Sequence, residues 1–301
     1  LDSNTIVPAC QQLYRAPANR YNSSMKLSVI IGTYNQKEVL RQTLESLFKQ
    51  TLSPDQYEIQ LVDSSSTDGT DLMVQELKPP CRFNYQVVPN QGKTYARNLA
   101  IKAAAGELIF LTDADMVAKE TLLEEHLLAH ARKKNRSFEG LTINPDGQPY
   151  IKAWLFPGAR LKWSYFLTGN LSIPKKIIIE AGLFDEQFKG YGWEDIELGY
   201  RLHQMKVPLH YLPTAVNYHH HPVSAEGMLE RKYQMGRSAA LFYRKHPTFG
   251  IKMFLGMNPL AMAIYHYLKA RPERLARIKS TYLLEEYQYR RGLEEGLREF
   301  Q

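Results

Sequence analysis

Several short clusters of polar residues in this chain have the types and spacing to do chemistry. Asp113-Ala114-Asp115 follows the apolar run Leu108-Ile109-Phe110-Leu111. Paired carboxylates at a strand end suit a hard divalent cation, which takes oxygen ligands and often bridges to phosphates. The bland alternative is an Asp-capped turn, and so short a motif does not choose between them. Asp63 opens the stretch Asp63-Ser64-Ser65-Ser66-Thr67-Asp68-Gly69-Thr70. It can accept a hydrogen bond from a ring N–H, or brace a loop rich in turn and cap formers. Thr33-Tyr34-Asn35 supplies an aromatic ring that can stack or simply pack. Gln91-Gly92-Lys93, with Arg97 one turn on, reads as a helix start with basic side chains. That suits a phosphate, or a solvated helix face. Glu194-Asp195 follows Gly190-Tyr191-Gly192-Trp193. Such an acid pair complements a helix dipole or supplies a general base, and Trp193 is either a stacking surface or a core side chain. Tyr218-His219-His220-His221-Pro222 offers an imidazole metal ligand, although usually only one ring of such a run points inward.

The elements that must position these groups alternate. Apolar runs predict strands over 27–31, 58–62, 83–88 and 108–111. Helical periodicity falls between them, over 38–50, 70–77 and 94–105, with Pro79-Pro80 and Gly106 as stops. A βαβαβαβ order predicts an α/β fold with a mostly parallel, doubly wound sheet. Its ligand edge carries the strand C-terminal ends: Gly32 to Asn35, Asp63 to Ser66, Pro89 to Gly92, and Asp113 to Asp115. No Gly-x-Gly-x-x-Gly follows the first strand, which counts against an ordinary dinucleotide site. After Lys119 the alternation fades. A helix is expected over 121–134 and irregular chain over 135–168. An extended start and short helix follow over 171–181, then a helix over 194–205, a short strand over 207–212, and helices beyond Ser224. These divisions give segments 1–25, 26–120, 121–223 and 224–301.

With 301 residues, 44% of them hydrophobic and 23% charged, the composition is that of a globular protein with a sizeable core. The net charge of +7 favours anionic partners. Cys10 and Cys81 make no disulfide framework. No stretch is long and apolar enough for a confident membrane span, and residues 1–25 lack a secretory pattern, so a cytoplasmic location is expected. Residues 249–268 are apolar with scattered polar groups and are followed by Lys269, Arg271, Arg274, Arg277 and Lys279. This stretch is either an amphipathic platform at the inner face of a membrane or a helical layer with a solvated basic face. Nucleic acid is not an expected partner, since no aromatic-basic platform is present.

Read in order, the motifs resemble those of family 2 glycosyltransferases, which have the GT-A fold. The resemblance runs from Leu27-Ser28-Val29-Ile30-Ile31-Gly32-Thr33-Tyr34-Asn35 through the Asp63 to Thr70 stretch and Asn90 to Asn98 to Asp113-Ala114-Asp115. Gly169-Asn170-Leu171-Ser172, Gly182-Leu183-Phe184-Asp185-Glu186 and Trp193-Glu194-Asp195-Ile196-Glu197 are similar to the chondroitin-polymerase and galactosyltransferase-like branch. Two departures stand out: Gly32 lies where the family usually has Pro, and Ser64 where Asp or Asn commonly follows the aspartate.

The resemblance implies an inverting, metal-dependent transfer from a nucleotide sugar, usually a UDP-sugar, to a hydroxyl of a glycan or lipid-linked acceptor. Residues 26–120 would then bind the nucleotide sugar, 121–223 the acceptor and catalytic groups, and 224–301 would form a helical region. By residue, the resemblance implies that Thr33, Tyr34, Asn35, Asp63, Gly92, Lys93, Arg97, Asp113 and Ala114 serve the nucleotide. Asp115 and His219 would hold Mn²⁺ or Mg²⁺. Gly169, Asn170 and Trp193 would meet donor sugar or acceptor, with Asp195 as general base and Glu194 orienting. The pocket that chooses the sugar would lie around Lys152 to Trp163. Two other classes of function are weighed beside this one. A non-catalytic nucleotide-sugar or glycan-binding module has less use for Asp115, Asp195 and His219 together. A nucleotidyltransferase would normally show a Gly-rich basic loop after the first strand, absent here.

Overall fold

The computed structural model describes residues 14–15, 25–151, 158–220 and 225–299. The elements in chain order are β1 (Tyr14–Arg15), β2 (Leu27–Thr33), α1 (Lys37–Leu47), β3 (Tyr57–Asp63), α2 (Thr70–Glu76), β4 (Arg82–Val87) and α3 (Lys93–Ala103). Next come β5 (Leu108–Leu111), β6 (Met116–Ala118), α4 (Leu122–Arg132), β7 (Ser137–Ile143), β8 (Arg160–Leu161), β9 (Leu171–Pro174) and α5 (Lys175–Glu180). The remainder is α6 (Glu194–Gln204), β10 (Leu209–His219), α7 (Ala225–Lys245), α8 (Phe249–Phe254), α9 (Pro259–Lys269), α10 (Pro272–Leu275) and α11 (Thr281–Glu299). Cys10, the rest of the lead-in before Met25 apart from Tyr14–Arg15, Lys152 to Pro157 and His221 lie outside the described residues.

Strands β4, β3, β2 and β5 are neighbours and run parallel. Every residue of β3 and β5 is buried, as both-face coverage requires. Alternation sorts the side chains: Val29 and Ile31 join Leu40, Leu44 and Phe110 in one apolar layer, while Ile30 joins Ala96, Ile101 and Ile109 in the other. Beyond β5 the sheet continues through antiparallel β9, then β7, β10 and β6. The parallel βα half is therefore as the alternation predicts, and the sheet is mixed α/β.

The stretch 135–168, expected to be irregular, contains β7 inside the sheet. Its sequence Ser-Phe-Glu-Gly-Leu-Thr-Ile is too polar to announce a buried strand. Glu139 is buried because it accepts from Leu167 N–H at 3.1 Å. Gly140 is required because a Cβ there would collide with the Asn170 side chain. Strand β10 also runs past the expected end at Leu212, to His219. Pro213 would break a regular ladder, and its register with β7 shifts between Leu212 and Val216.

Two compact units divide the chain. One runs to Asp185 and resumes over Leu198–His221; the other holds Glu186–Glu197 and the chain after His221. The sheet belongs to the first. In the second, α7 and α11 pack so closely that Cβ atoms on Gly236 or Gly292 would meet the opposite helix's backbone.

Candidate active site

The sheet unit gathers the charged residues at the C-terminal ends of its parallel strands. Gly92 starts α3 with φ +99°, a conformation that favours glycine. One residue on, Lys93 reaches Asp113 Oδ1 at 2.8 Å, and Arg97 reaches the same oxygen at 2.6 Å. Arg97 is 1% exposed and its guanidinium lies over the Phe184 ring, 5.3 Å from the centroid. Burial works against the Asp113 carboxylate, but the charges of Lys93 and Arg97 outweigh it and hold the group well below the usual carboxylate range. Ala114 turns into the core, and its carbonyl accepts from Thr43 Oγ1 at 2.8 Å.

Asp115 stands differently. Its Oδ2 lies 3.3 Å from His219 Nε2, and both side chains are nearly buried. Strand pairing causes this closeness: β6 and β10 are antiparallel with Met116 opposite His219, and Asp115 carbonyl accepts from His220 N–H at 2.9 Å. The strand's alternation sends His220 elsewhere, toward a surface cleft with Gln42, Glu45 and Lys49. Of the two described histidines of the run, His219 is the one beside the aspartate.

Gly169 borders the same place. A Cβ on it would lie 2.7 Å from Met116 Cε, the movable end of a flexible side chain, and 3.8 Å from Asp113 Oδ2, so glycine keeps the backbone closely approachable here. Its carbonyl accepts from Thr112 Oγ1 and Asn217 Nδ2. Asn170 is fully buried. Its amide donates to the carbonyls of Leu141 and Ala215, and its oxygen faces His126 Nε2 at 2.9 Å. Asn170 thus braces this segment from inside, leaving Gly169 as its exposed-side neighbour of Asp113.

The loop stations are tied together. Asp63 is 1% exposed; Oδ1 accepts from Ser66 N–H and Oγ, and Oδ2 from the Tyr85 hydroxyl at 2.8 Å. Asn35, at φ +51°, accepts from Thr67 N–H and donates its own N–H to Ser66 Oγ. Thr33 is buried, whereas Tyr34 is half exposed at the rim. The turn-bracing role of Asp63 is built here, and Oδ2 keeps one further acceptor position.

Glu194 and Asp195 belong to the second unit, in the first turn of α6. Before them, Gly192 and Trp193 have φ of +85° and +73°. A tryptophan in that region is a backbone outlier of the kind that collects at functional sites. The indole is 9% exposed, packed against Phe242 and Phe254 at centroid distances of 5.8 and 5.7 Å. Of the two readings of Trp193, the core one matches these surroundings. Asp195 Oδ1 accepts from Ile196 N–H, and two residues on the buried Glu197 pairs with His246 at 2.9 Å.

Sequence reasoning missed Tyr85, Thr112, Asn217, His126 and His246. Asn217 had a usable signal, since it lies two residues before His219 and so faces the same side of the strand. Thr112 directly precedes the Asp113 motif but carries no signal of its own, and Tyr85, His126 and His246 are distant in sequence and carry no local pattern.

Residues 28–182, just over half of the chain, match the family model described as glycosyl transferase family 2. An uncharacterized glycosyltransferase of Bacillus subtilis (strain 168), YfnE, is 29% identical over 60% of this chain and 61% of its own length. Validoxylamine A glucosyltransferase of Streptomyces hygroscopicus subsp. limoneus is 28% identical over 76% of this chain and 58% of its own. The chain thus spans about six-tenths of the length of these relatives. Chondroitin synthase of Escherichia coli is similar at 24% identity. The fold is shared with a mannosyltransferase from Pyrobaculum calidifontis solved with GDP-Man and Mn²⁺ (TM-score 0.64, 17% identity, covering 93% of this chain and 89% of that one). It is shared too with TarS of S. aureus solved with UDP (TM-score 0.59, 20% identity, covering 92% of each). A strand-end carboxylate site, a GT-A architecture and a family match of this extent lead to one conclusion: the chain belongs to glycosyl transferase family 2.

Proposed function

We propose that this protein transfers a sugar, with inversion, from a nucleotide sugar (a UDP-sugar first) to an acceptor hydroxyl, with help from a divalent cation. The observation that carries this reading is the convergence of Lys93, Arg97, Asp113, Asp115 and His219 on one sheet edge. Relatives of the fold solved with UDP, UDP-GlcNAc and GDP-Man support a nucleotide-sugar donor.

The residues fit a divalent metal. Asp115 pairs with no Lys or Arg among the described residues, whereas Asp113 pairs with both. One carboxylate and one imidazole facing each other, with no cage of three or more ligands among the described residues, suit a cation that also takes donor phosphate oxygens. Asp115 and His219 would hold it, and it would neutralise charge on the departing diphosphate. Lys93 and Arg97 keep Asp113 ionised and aimed, so that it serves the ribose or the outer shell of the site. Thr33, Tyr34, Asn35 and Asp63 line the base, with Tyr34 at the rim, and Gly169 admits the donor sugar closely.

Asp195 takes the proton of the acceptor hydroxyl as that oxygen attacks the anomeric carbon, and Glu194 orients a partner. The bond between anomeric carbon and phosphate oxygen breaks, and the nucleoside diphosphate leaves with the electron pair. One base without a covalent nucleophile gives single displacement.

A panel of nucleotide sugars with Mn²⁺, scored for release of the nucleoside diphosphate, tests the reading. Asp195→Asn should keep donor binding by thermal shift and lose about 100-fold or more in turnover, the usual scale for a general base. Near-normal turnover in that variant would overturn the base assignment, and full activity in excess chelator would overturn the metal.

A further inference from the structure

Of the chain's net charge of +7, residues 249–279 carry +5: six basic side chains against the single acid Glu273. The helical unit shows what these charges surround. In α9 the buried side is Tyr265, whose hydroxyl donates to Glu294. Its outward side is also apolar. Leu260 is 72% exposed and Ile264 54%, one turn apart, with Tyr267 completing the row. In α8, Ile251 is buried while Phe249 is 79% exposed and Met253, one turn on, is exposed as well. Two consecutive short helices therefore each present a second apolar row that the unit itself does not cover.

The cations lie in the same stretch of chain as these rows. Lys269 is taken by Glu294, but Lys252, Arg271, Arg274, Arg277 and Lys279 are all exposed. Arg271 and Arg274 both lie over the Tyr267 ring, 4.1 and 5.3 Å from its centroid. An aromatic ring stacked with guanidinium groups at the border of an apolar row is suited to a boundary between hydrocarbon and anionic headgroups. Among the described residues no helix is long and apolar enough to cross a membrane. A second copy of the chain would bring the same cations against one another, which like-charge repulsion opposes.

We infer that α8 to α10 form an in-plane docking face for an anionic lipid surface, with Phe249, Met253, Leu260 and Ile264 entering the headgroup boundary and the five cations meeting the lipid charge. This inference does not depend on the transfer reaction, because its test reads binding directly.

The experiment is flotation of the full chain with vesicles of equimolar phosphatidylcholine and phosphatidylglycerol, and with phosphatidylcholine alone. The expected result is recovery with the anionic vesicles at low salt, loss in molar salt, and little recovery with neutral vesicles. The double variant Leu260→Asp, Ile264→Asp should weaken binding at least about tenfold. The triple variant Lys252→Gln, Arg277→Gln, Lys279→Gln should weaken it about 100-fold. All five positions are exposed or half exposed on the helix surface, and unchanged circular dichroism confirms folding. No flotation with anionic vesicles at low salt overturns the inference. So does undiminished binding of the Leu260/Ile264 variant, which would mark simple electrostatic adsorption. A dimer by light scattering that the same two substitutions dissolve would assign the face to a second copy, and also overturns it.

Discussion

Two cations share one oxygen of Asp113, yet they are not equivalent. Lys93 is half exposed and pairs in water-rich surroundings, where such pairs contribute about 0–1 kcal/mol. Arg97 is buried beneath it against Phe184. Removing a buried partner leaves charge uncompensated, which costs about 3–5 kcal/mol when burial is complete. Asp113 is a quarter exposed and would keep Lys93, so Arg97→Met should cost roughly 2–3 kcal/mol and Lys93→Met under about 1. Urea unfolding of the two variants at neutral pH checks the order; equal losses would show that Arg97 is not the anchor of the pair. Both should weaken donor binding, but only Arg97→Met should do so together with a fall in stability. The asymmetry was half legible beforehand. Lys93 and Arg97 were readable as a basic helix start, and Asp113 as an acid at a strand end. That the two clusters neutralise each other was not readable, because their 16-residue separation is closed only by the crossover from α3 into β5.

Helix α4 carries a buried polar chain into the sheet. Asn170 already donates its amide hydrogens to two carbonyls, so its oxygen must accept from His126 Nε2–H. His126 Nδ1 then accepts from Ser172 Oγ at 2.7 Å, and His130 Nε2 donates to that hydroxyl at 2.9 Å. This pattern needs the His126 imidazole neutral, since Nδ1 accepts, whereas His130 can donate from Nε2 in either state and is kept neutral by its burial. Burial pushes His126 down to about 4 and His130 down to about 3, the latter helped by its neighbour and by Arg136. A folded value below the unfolded one, about 6.5, means the unfolded chain binds more protons across that interval. The stability is therefore fully present above about pH 6.5 and falls as pH drops toward 4. Asp113, depressed as a carboxylate, loses its contribution only at still lower pH and leaves this window untouched. Urea unfolding between pH 7.5 and 5 should show stability falling by up to about 1.4 kcal/mol per pH unit for each histidine. His130→Gln, which keeps a donor for Ser172, should flatten the slope; an unchanged slope would exclude His130 from the titration. None of this chain showed in the sequence. Apolar runs betrayed β2, β3 and β5, and β9 is the extended start expected over 171–181, but β7 is buried partly through hydrogen-bonded polar groups, and periodicity is blind to those.

At the scale of the whole molecule, the candidate chemistry is divided between two compact units. Lys93, Arg97, Asp113, Asp115 and His219 sit in the sheet unit, and Glu194 and Asp195 in the helical one. The segment bearing the acid pair is built onto α7. Gly192 leaves no room for a Cβ against Met235, and Gly190 lies against Gln234 and Ser238. Helix α7 in turn is held to α11 through Gly236, Gly292 and Gly296. A glycine contact of this kind has no period and no charge, so the sequence shows helices here without showing that they form one body with residues 186–197. Gly292→Val would drive a side chain into the Tyr233 backbone, an overpacking that costs about 3 kcal/mol. The helical unit should then melt first and expose α7 to protease, while the sheet unit keeps its strands. Transfer should fall with the loss of Asp195, whereas affinity for UDP with Mn²⁺ should change less than about twofold, because the nucleotide residues share no partner with Gly292. Differential scanning calorimetry and UDP titration on one preparation make the comparison. If a single transition remains and nucleotide binding disappears with it, the two units fold as one, and Asp195 has no separable contribution from the body that carries it.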